Sequence, residues 1–209
     1  MERLQFISQG NTANEQLESI KRVLDVGCQW IQFRWKNASL TDILKTGTEV
    51  RSFTGLYRAK LIINDHLTIA DQLDADGLHL GLNDESIIEA REVLGNNKII
   101  GGTANTWEHV QQRIEEGVDY IGLGPLRFTT TKEKLSPILG FEGYADICHK
   151  LTRGEMPIYA IGGVRAEDIP QLLDCGVHGV AVSSALLESP SLSIENFNKK
   201  LYETAKNCR

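Results

Sequence analysis

The chain has 209 residues, 41% of them apolar, and a formal net charge of −6. That apolar fraction supports a sizeable core and argues against disorder, while the acidic balance disfavours a nucleic-acid binder, whose affinity comes from basic surface. No apolar run approaches the roughly 18 residues that span a bilayer, and the first residues lack the apolar segment of a secretion signal, so a cytoplasmic protein with neither membrane nor nucleic-acid partners is expected.

Short β-branched runs alternate along the chain with longer amphipathic stretches. The first strand is predicted at residues 4–8, followed by a helix over 14–26 with apolar positions Leu17, Ile20, Val23 and Leu24 at helical spacing. A strand over 30–34 precedes a helix over 40–53, for which Ser39 or Thr41 is a suitable N-cap. The pattern continues with strands over 60–63 and 77–80 and helices over 66–73 and 85–94. Then come a strand over 98–101, a helix over 106–116 and a strand over 120–123. An irregular segment, 124–138, interrupts the rhythm before a helix over 141–151. A strand over 157–161, a helix over 166–174, a strand over 179–182 and a closing helix to about residue 202 complete the chain. Long ordered loops in compact domains are usually functional, which marks 124–138.

A weak repeat supports closure of these units on themselves. V-G-C-Q-W-I-Q-F, L-D-A-D-G-L-H-L, E-G-V-D-Y-I-G-L and C-G-V-H-G-V-A-V each join a helix end, a turn and a strand. They fall at every second strand, as suits a barrel whose alternate strands occupy equivalent layers. The expected fold is therefore a (β/α)8 TIM barrel, with residues 1–209 as one domain. An open doubly wound sheet would more often carry G-x-G-x-x-G after its first strand, and none occurs. The four cysteines, Cys28, Cys148, Cys175 and Cys208, have neither C-x-x-C nor metal spacing and are expected as reduced structural thiols.

In a barrel the residues just past each strand face the active site. After the second strand, Gln32, Arg34 and Lys36 alternate with Phe33 and Trp35, so the polar three share one side. Two cations at that spacing suit a pyrophosphate. Asn64 and Asp65 follow the third strand and Asp84 the fourth. Paired carboxylates on neighbouring strand ends suit Mg²⁺, although either could instead cap the next helix. Thr103 follows the fifth strand, and Thr129, Thr130, Thr131 and Lys132 follow the sixth. At the seventh and eighth strands, Gly162-Gly163 and Ser183-Ser184 offer backbone amides and hydroxyls for a phosphate. A helix N-terminus beyond strand eight is expected to add its dipole. His66 and His79 flank the carboxylates and are read as packing or supporting residues.

Taken in order, Q-F-R-W-K, I-N-D, G-L-N-D, G-G-T-A-N-T, G-P-L-R-F-T-T-T-K, A-I-G-G-V and V-S-S-A resemble the thiamine-phosphate synthase family. The resemblance runs from the second strand to the eighth. It implies a transferase of thiamine biosynthesis. Such an enzyme joins a hydroxymethylpyrimidine pyrophosphate to a hydroxyethylthiazole phosphate and releases pyrophosphate. It implies that Gln32, Arg34, Lys36 and Asn64 bind the pyrimidine pyrophosphate, that Thr103 and Lys132 also contact its pyrophosphate side, and that Phe33, Trp35 and Thr130 are among the substrate-binding residues, with Arg34, Lys36 and Lys132 catalytic. Thr129, Thr131, Gly163, Ser183 and Ser184 would hold the thiazole phosphate, and Asp65 and Asp84 would bind Mg²⁺. Self-association into a homo-oligomer is left open. The sequence departs from the family at G-L-N-D, where G-Q-E-D is common, at Thr103, where Ser is common, and at Asn105, where His is common. That His serves proton transfer in the sister thiazole tautomerases, one alternative reading; the other is a non-catalytic regulator that binds a thiamine-related ligand.

Overall fold

The computed structural model describes residues 1–128, 137–152 and 156–207. Eight parallel strands close into a barrel in sequence order. They are β1 (Leu4–Ile7), β2 (Trp30–Phe33), β3 (Lys60–Asn64), β4 (Gly77–Leu80), β5 (Ile99–Ala104), β6 (Tyr120–Leu123), β7 (Ile158–Ala160) and β8 (Gly179–Val182). The helices between them are α1 (Ala13–Leu24), α2 (Leu40–Tyr57), α3 (Leu67–Gln72), α4 (Ile87–Leu94), α5 (Trp107–Glu115), α6 (Gly140–Cys148), α7 (Ile169–Asp174) and α8 (Pro190–Asn207). The fold is the expected (β/α)8 barrel.

Parallel strands covered on both faces read as nearly continuous apolar runs, and the core divides accordingly. One large cluster contains the outward residues, among them Phe6, Ile31, Ile63, Leu78, Ile100 and Ile121, packed beneath the helices. A second, smaller cluster of Trp30, Ile62, Tyr120 and Tyr159 fills the barrel interior. Its rings meet edge to face: Trp30 lies 5.1 Å from Tyr120 and 5.0 Å from Tyr159, centroid to centroid. Trp30 and Tyr120 open their strands, so this plug occupies the amino-terminal half of the barrel and leaves the carboxyl-terminal half hollow. Gly101 makes room for it, since a Cβ there would come within 2.2 Å of the Tyr120 ring and 2.6 Å of His79 Nδ1.

Helix starts follow their caps. Thr12 and Glu15 form a capping box at α1, and Ser39, Ser86 and Thr106 cap α2, α4 and α5. Several boundaries differ from the sequence expectation. The second helix runs through Gly55 to Tyr57, and Arg58 ends it in the left-handed conformation. Thr103 lies inside β5. The seventh helix opens with a 3₁₀ turn over Ala166–Asp168, because Pro170 suits the first turn of the α-helix. The dipole expected just beyond β8 is corrected in the same way. Only a 3₁₀ turn, Ser184–Leu186, stands there, and α8 begins at Pro190. Cys28, Cys148 and Cys175 are free and buried, and Cys208 lies outside the described residues. Among the described residues no helix is long and apolar enough to cross a membrane.

Candidate active site

The hollow half of the barrel opens as a cavity at the carboxyl ends of the strands. Gln32, Arg34, Lys36, Asn64, Asp65, Asp84, Thr103, Gly163, Ser183 and Ser184 all line it. Phe33 and Trp35 do not. Strand alternation sends Phe33 outward into the core, where it is 1% exposed and packs near Gly47 of α2. Trp35 packs half-buried against the same core. The assignment of Phe33 to substrate contact is corrected on that ground. Thr129, Thr130, Thr131 and Lys132 lie outside the described residues.

On one side of the cavity stands a charged group. The carboxylates of Asp65 and Asp84 are within hydrogen-bonding reach of each other, and burial and this neighbour push Asp65 up to about 6 against the pull of Lys36 and Arg34. Lys36 Nζ lies 3.8 Å from Asp65 Oδ2. Burial lowers the Arg34 guanidinium pKa and Asp65 opposes the shift, yet an arginine stays charged at neutral pH. Neither carboxylate caps a helix. Ser86 caps α4, and His66 occupies the cap position of α3. Asp84 instead closes its own turn, accepting the Gly81 amide at 2.5 Å. Asp65 adopts φ +67°, a conformation that aspartate tolerates better than most residues. Among the described residues no group of three or more His, Cys, Asp or Glu side chains is placed to hold a metal.

Buried polar residues hold this group from behind. Ser8 Oγ accepts the Arg34 amide at 2.9 Å, and the Gln16 amide donates to the Arg34 carbonyl at 3.1 Å. Arg113, 4% exposed on α5, donates to the Gly81 carbonyl at 2.9 Å and the Thr103 carbonyl at 3.2 Å while pairing with Glu116 at 2.6 Å. One guanidinium thus ties the turn that carries Asp84 to the strand that carries Thr103.

The floor is a polar chain in which Gln32 and Thr103 are expected from sequence at the site and His79 as a support, while Gln5 and Tyr120 are not expected. Gln32 donates to Gln5 at 3.0 Å, Gln5 donates to the Tyr120 hydroxyl at 3.3 Å, and the His79 ring bridges Tyr120 Oη and Thr103 Oγ1 at 3.0 Å each. Gln5, His79 and Tyr120 all line the cavity. The available signal was a lone polar residue in the middle of an otherwise apolar strand, Gln5 in L-Q-F-I and His79 in G-L-H-L. Opposite the charged side, Ser183 donates to Gln9 at 3.2 Å, and Gly162 and Gly163 turn with φ +80° and +73°.

A closed parallel barrel with carboxylates and cations on one side of its mouth, and glycines and hydroxyls on the other, defines a (β/α)8-barrel enzyme built for anionic substrates. The sequence model of the thiamine monophosphate synthase family matches residues 4–186. The chain is 50% identical over 204 residues to thiamine-phosphate synthase of Flavobacterium johnsoniae, covering 96% of each chain. It is 45% identical over 189 residues to that of Bacteroides fragilis, covering 90% of this chain and 93% of the other. The solved thiamine phosphate pyrophosphorylase from Pyrococcus furiosus superposes with a TM-score of 0.80 at 28% identity, over 98% of this chain and 96% of that one. The chain belongs to the thiamine monophosphate synthase family and is an enzyme of thiamine phosphate synthesis.

Proposed function

We propose that the two sides of the cavity hold the two substrates of a condensation. Hydroxymethylpyrimidine pyrophosphate lies on the Arg34, Lys36, Asp65 and Asp84 side, and hydroxyethylthiazole phosphate on the Gly163, Ser183 and Ser184 side. The observation that carries this reading is that unlike anion-binding groups face one cavity from opposite strands. Like-charged carboxylates in mutual contact, one of them with a raised pKa, call for a cation between them. Two carboxylates suit Mg²⁺, which completes its shell with water and substrate phosphate. When bound, the ion would neutralise charge on the departing pyrophosphate.

The chain's own residues account for the rest. Arg34 and Lys36 offer fixed positive charge to the pyrophosphate, with Lys132 added by the sequence resemblance. The bond between the pyrimidine methylene carbon and the pyrophosphate oxygen breaks, and its electron pair leaves with pyrophosphate. The thiazole nitrogen then gives its lone pair to that carbon. The step asks for electrostatic stabilisation and alignment and needs no nucleophilic side chain. The Gln32–Gln5–Tyr120–His79–Thr103 chain provides a polar floor for the pyrimidine. A cytoplasmic location fits substrates of this kind. Neither a tautomerase nor a silent regulator is favoured, since the family match and both carboxylates are retained.

The test is to mix the purified protein with both substrates and Mg²⁺ and follow thiamine phosphate and pyrophosphate together. Absence of both products sinks the reading. In Asp84→Ala, unchanged Mg²⁺ dependence would remove Asp84 from the metal site.

A further inference from the structure

We infer that Arg127 and Asp168 form a positioning pair that aims the backbone amides of the β7–α7 turn at the phosphate of the thiazole substrate. The inference rests on the assignment of that corner of the cavity to a phosphate. Arg127 itself does not line the cavity. It acts through the turn it holds.

Three successive carbonyls of the turn face the segment after β6. The Leu126 amide donates to the Ile161 carbonyl at 3.0 Å, the Arg127 amide to the Gly162 carbonyl at 3.0 Å, and Arg127 Nη1 to the Gly163 carbonyl at 2.9 Å. Across a trans peptide the carbonyl and the following N–H point in opposite directions. Holding the carbonyls of Gly162 and Gly163 toward Arg127 therefore directs the amides of Gly163 and Val164 away from it, and both residues line the cavity. Among the described residues neither amide has a protein acceptor. Successive amides directed to one side can form an anion-binding concavity. Two consecutive residues at φ +80° and +73° require glycine. A Cβ on Gly162 would also sit 2.5 Å from Pro125 Cβ.

The orientation depends on where the guanidinium is fixed, and Asp168 fixes it. The pair is bidentate, with both nitrogen–oxygen distances 2.5 Å, the geometry that adds direction as well as strength. Asp168 is 4% exposed and also accepts the Arg165 amide at 2.8 Å, so it cannot swing to follow a displaced arginine. Burial alone would raise its pKa, but the Arg127 hydrogen bonds and the Arg165 amide hold it below the ordinary carboxylate range. The Phe141 ring lies 5.8 Å from the guanidinium carbon and backs the arginine from α6. Arginine and aspartate cancel in charge, so the pair adds little net field to the site. Its effect on a phosphate is one of direction.

The experiment compares binding of hydroxyethylthiazole phosphate with binding of the unphosphorylated thiazole alcohol, by calorimetry, in the wild type, Arg127→Met and Asp168→Asn. It is read beside the KM for each substrate and the melting temperature. In Arg127→Met the preference for the phosphorylated ligand should fall about tenfold, the loss of one well-aimed hydrogen bond to a charged group. Affinity for the alcohol and the KM for the pyrimidine pyrophosphate should stay within about twofold. Asp168→Asn, which keeps the shape of the side chain, should lose about threefold of the same preference and serves if Arg127→Met does not fold. Variants that keep the wild-type preference, or that lose both thiazole ligands equally, make the pair a simple clamp and overturn the inference. A wild type that does not prefer the phosphorylated thiazole would instead overturn the assignment of the corner to phosphate.

Discussion

Acidification from about pH 7 to about pH 5 should weaken Mg²⁺ binding by about tenfold, because the ion competes with a proton for Asp65. Burial and the Asp84 carboxylate raise that group from 3.8 to about 6. With that value about nine-tenths of the sites carry an ionised Asp65 at pH 7 and about one-tenth at pH 5. An ordinary carboxylate would stay almost wholly ionised across the same interval, and affinity would hardly move. Calorimetric titration of the substrate-free protein with Mg²⁺ at several pH values distinguishes the two outcomes, and flat affinity over this range would refute the coupling. The sign for stability is opposite in the metal-free protein. A carboxyl whose folded pKa lies above its unfolded value favours the fold when protonated, so stability should be lost as pH rises from about 4 to about 6. The loss is at most about 3 kcal/mol, and smaller because the Asp65 side chain keeps 21% of its surface in water. Saturating Mg²⁺ should restore stability near neutral pH.

Three further predictions concern the supports of the site. Arg113→Met leaves two carbonyls and Glu116 without their shared partner and should cost about 3–5 kcal/mol in denaturant unfolding; a loss under about 1 kcal/mol would show that water replaces it. Tyr120→Phe removes the hydroxyl joining Gln5 to His79 and should cost about 1–3 kcal/mol, with the KM for the pyrimidine substrate rising more than that for the thiazole; the reverse order would take the floor away from the pyrimidine. Gly101→Ala drives a methyl group into Tyr120 and His79 and should cost about 1–3 kcal/mol with loss of pyrimidine binding. Native stability and activity in that variant would mean that the floor can shift.

The alternation of apolar runs with amphipathic stretches, and the recurrence at every second strand, carried the barrel at the level of sequence. Both signals are local, and the strand ends they located include the residues that converge on the cavity. Position along the chain is a weaker guide to direction. Phe33 sits between Gln32 and Arg34 yet packs on the opposite face of β2, because a strand turns successive side chains to opposite sides. The floor joins Gln5, Gln32, His79, Thr103 and Tyr120 from β1, β2, β4, β5 and β6. No spacing rule links residues more than a hundred positions apart.

The sequence by itself determined the strand and helix rhythm, the glycine and carboxylate turns at the strand ends, and the family, since each is a property of neighbouring residues or of their order. Only the tertiary structure decided which side chains enter the cavity, that Asp65 and Asp84 meet, and that Arg113 and Arg127 hold turns on the cavity's two opposite sides. Those facts depend on barrel closure, which sets strand register and brings distant buried polar groups within hydrogen-bonding distance. Once water is excluded, such groups must find partners, and in this chain the partners are also what aims the cavity wall.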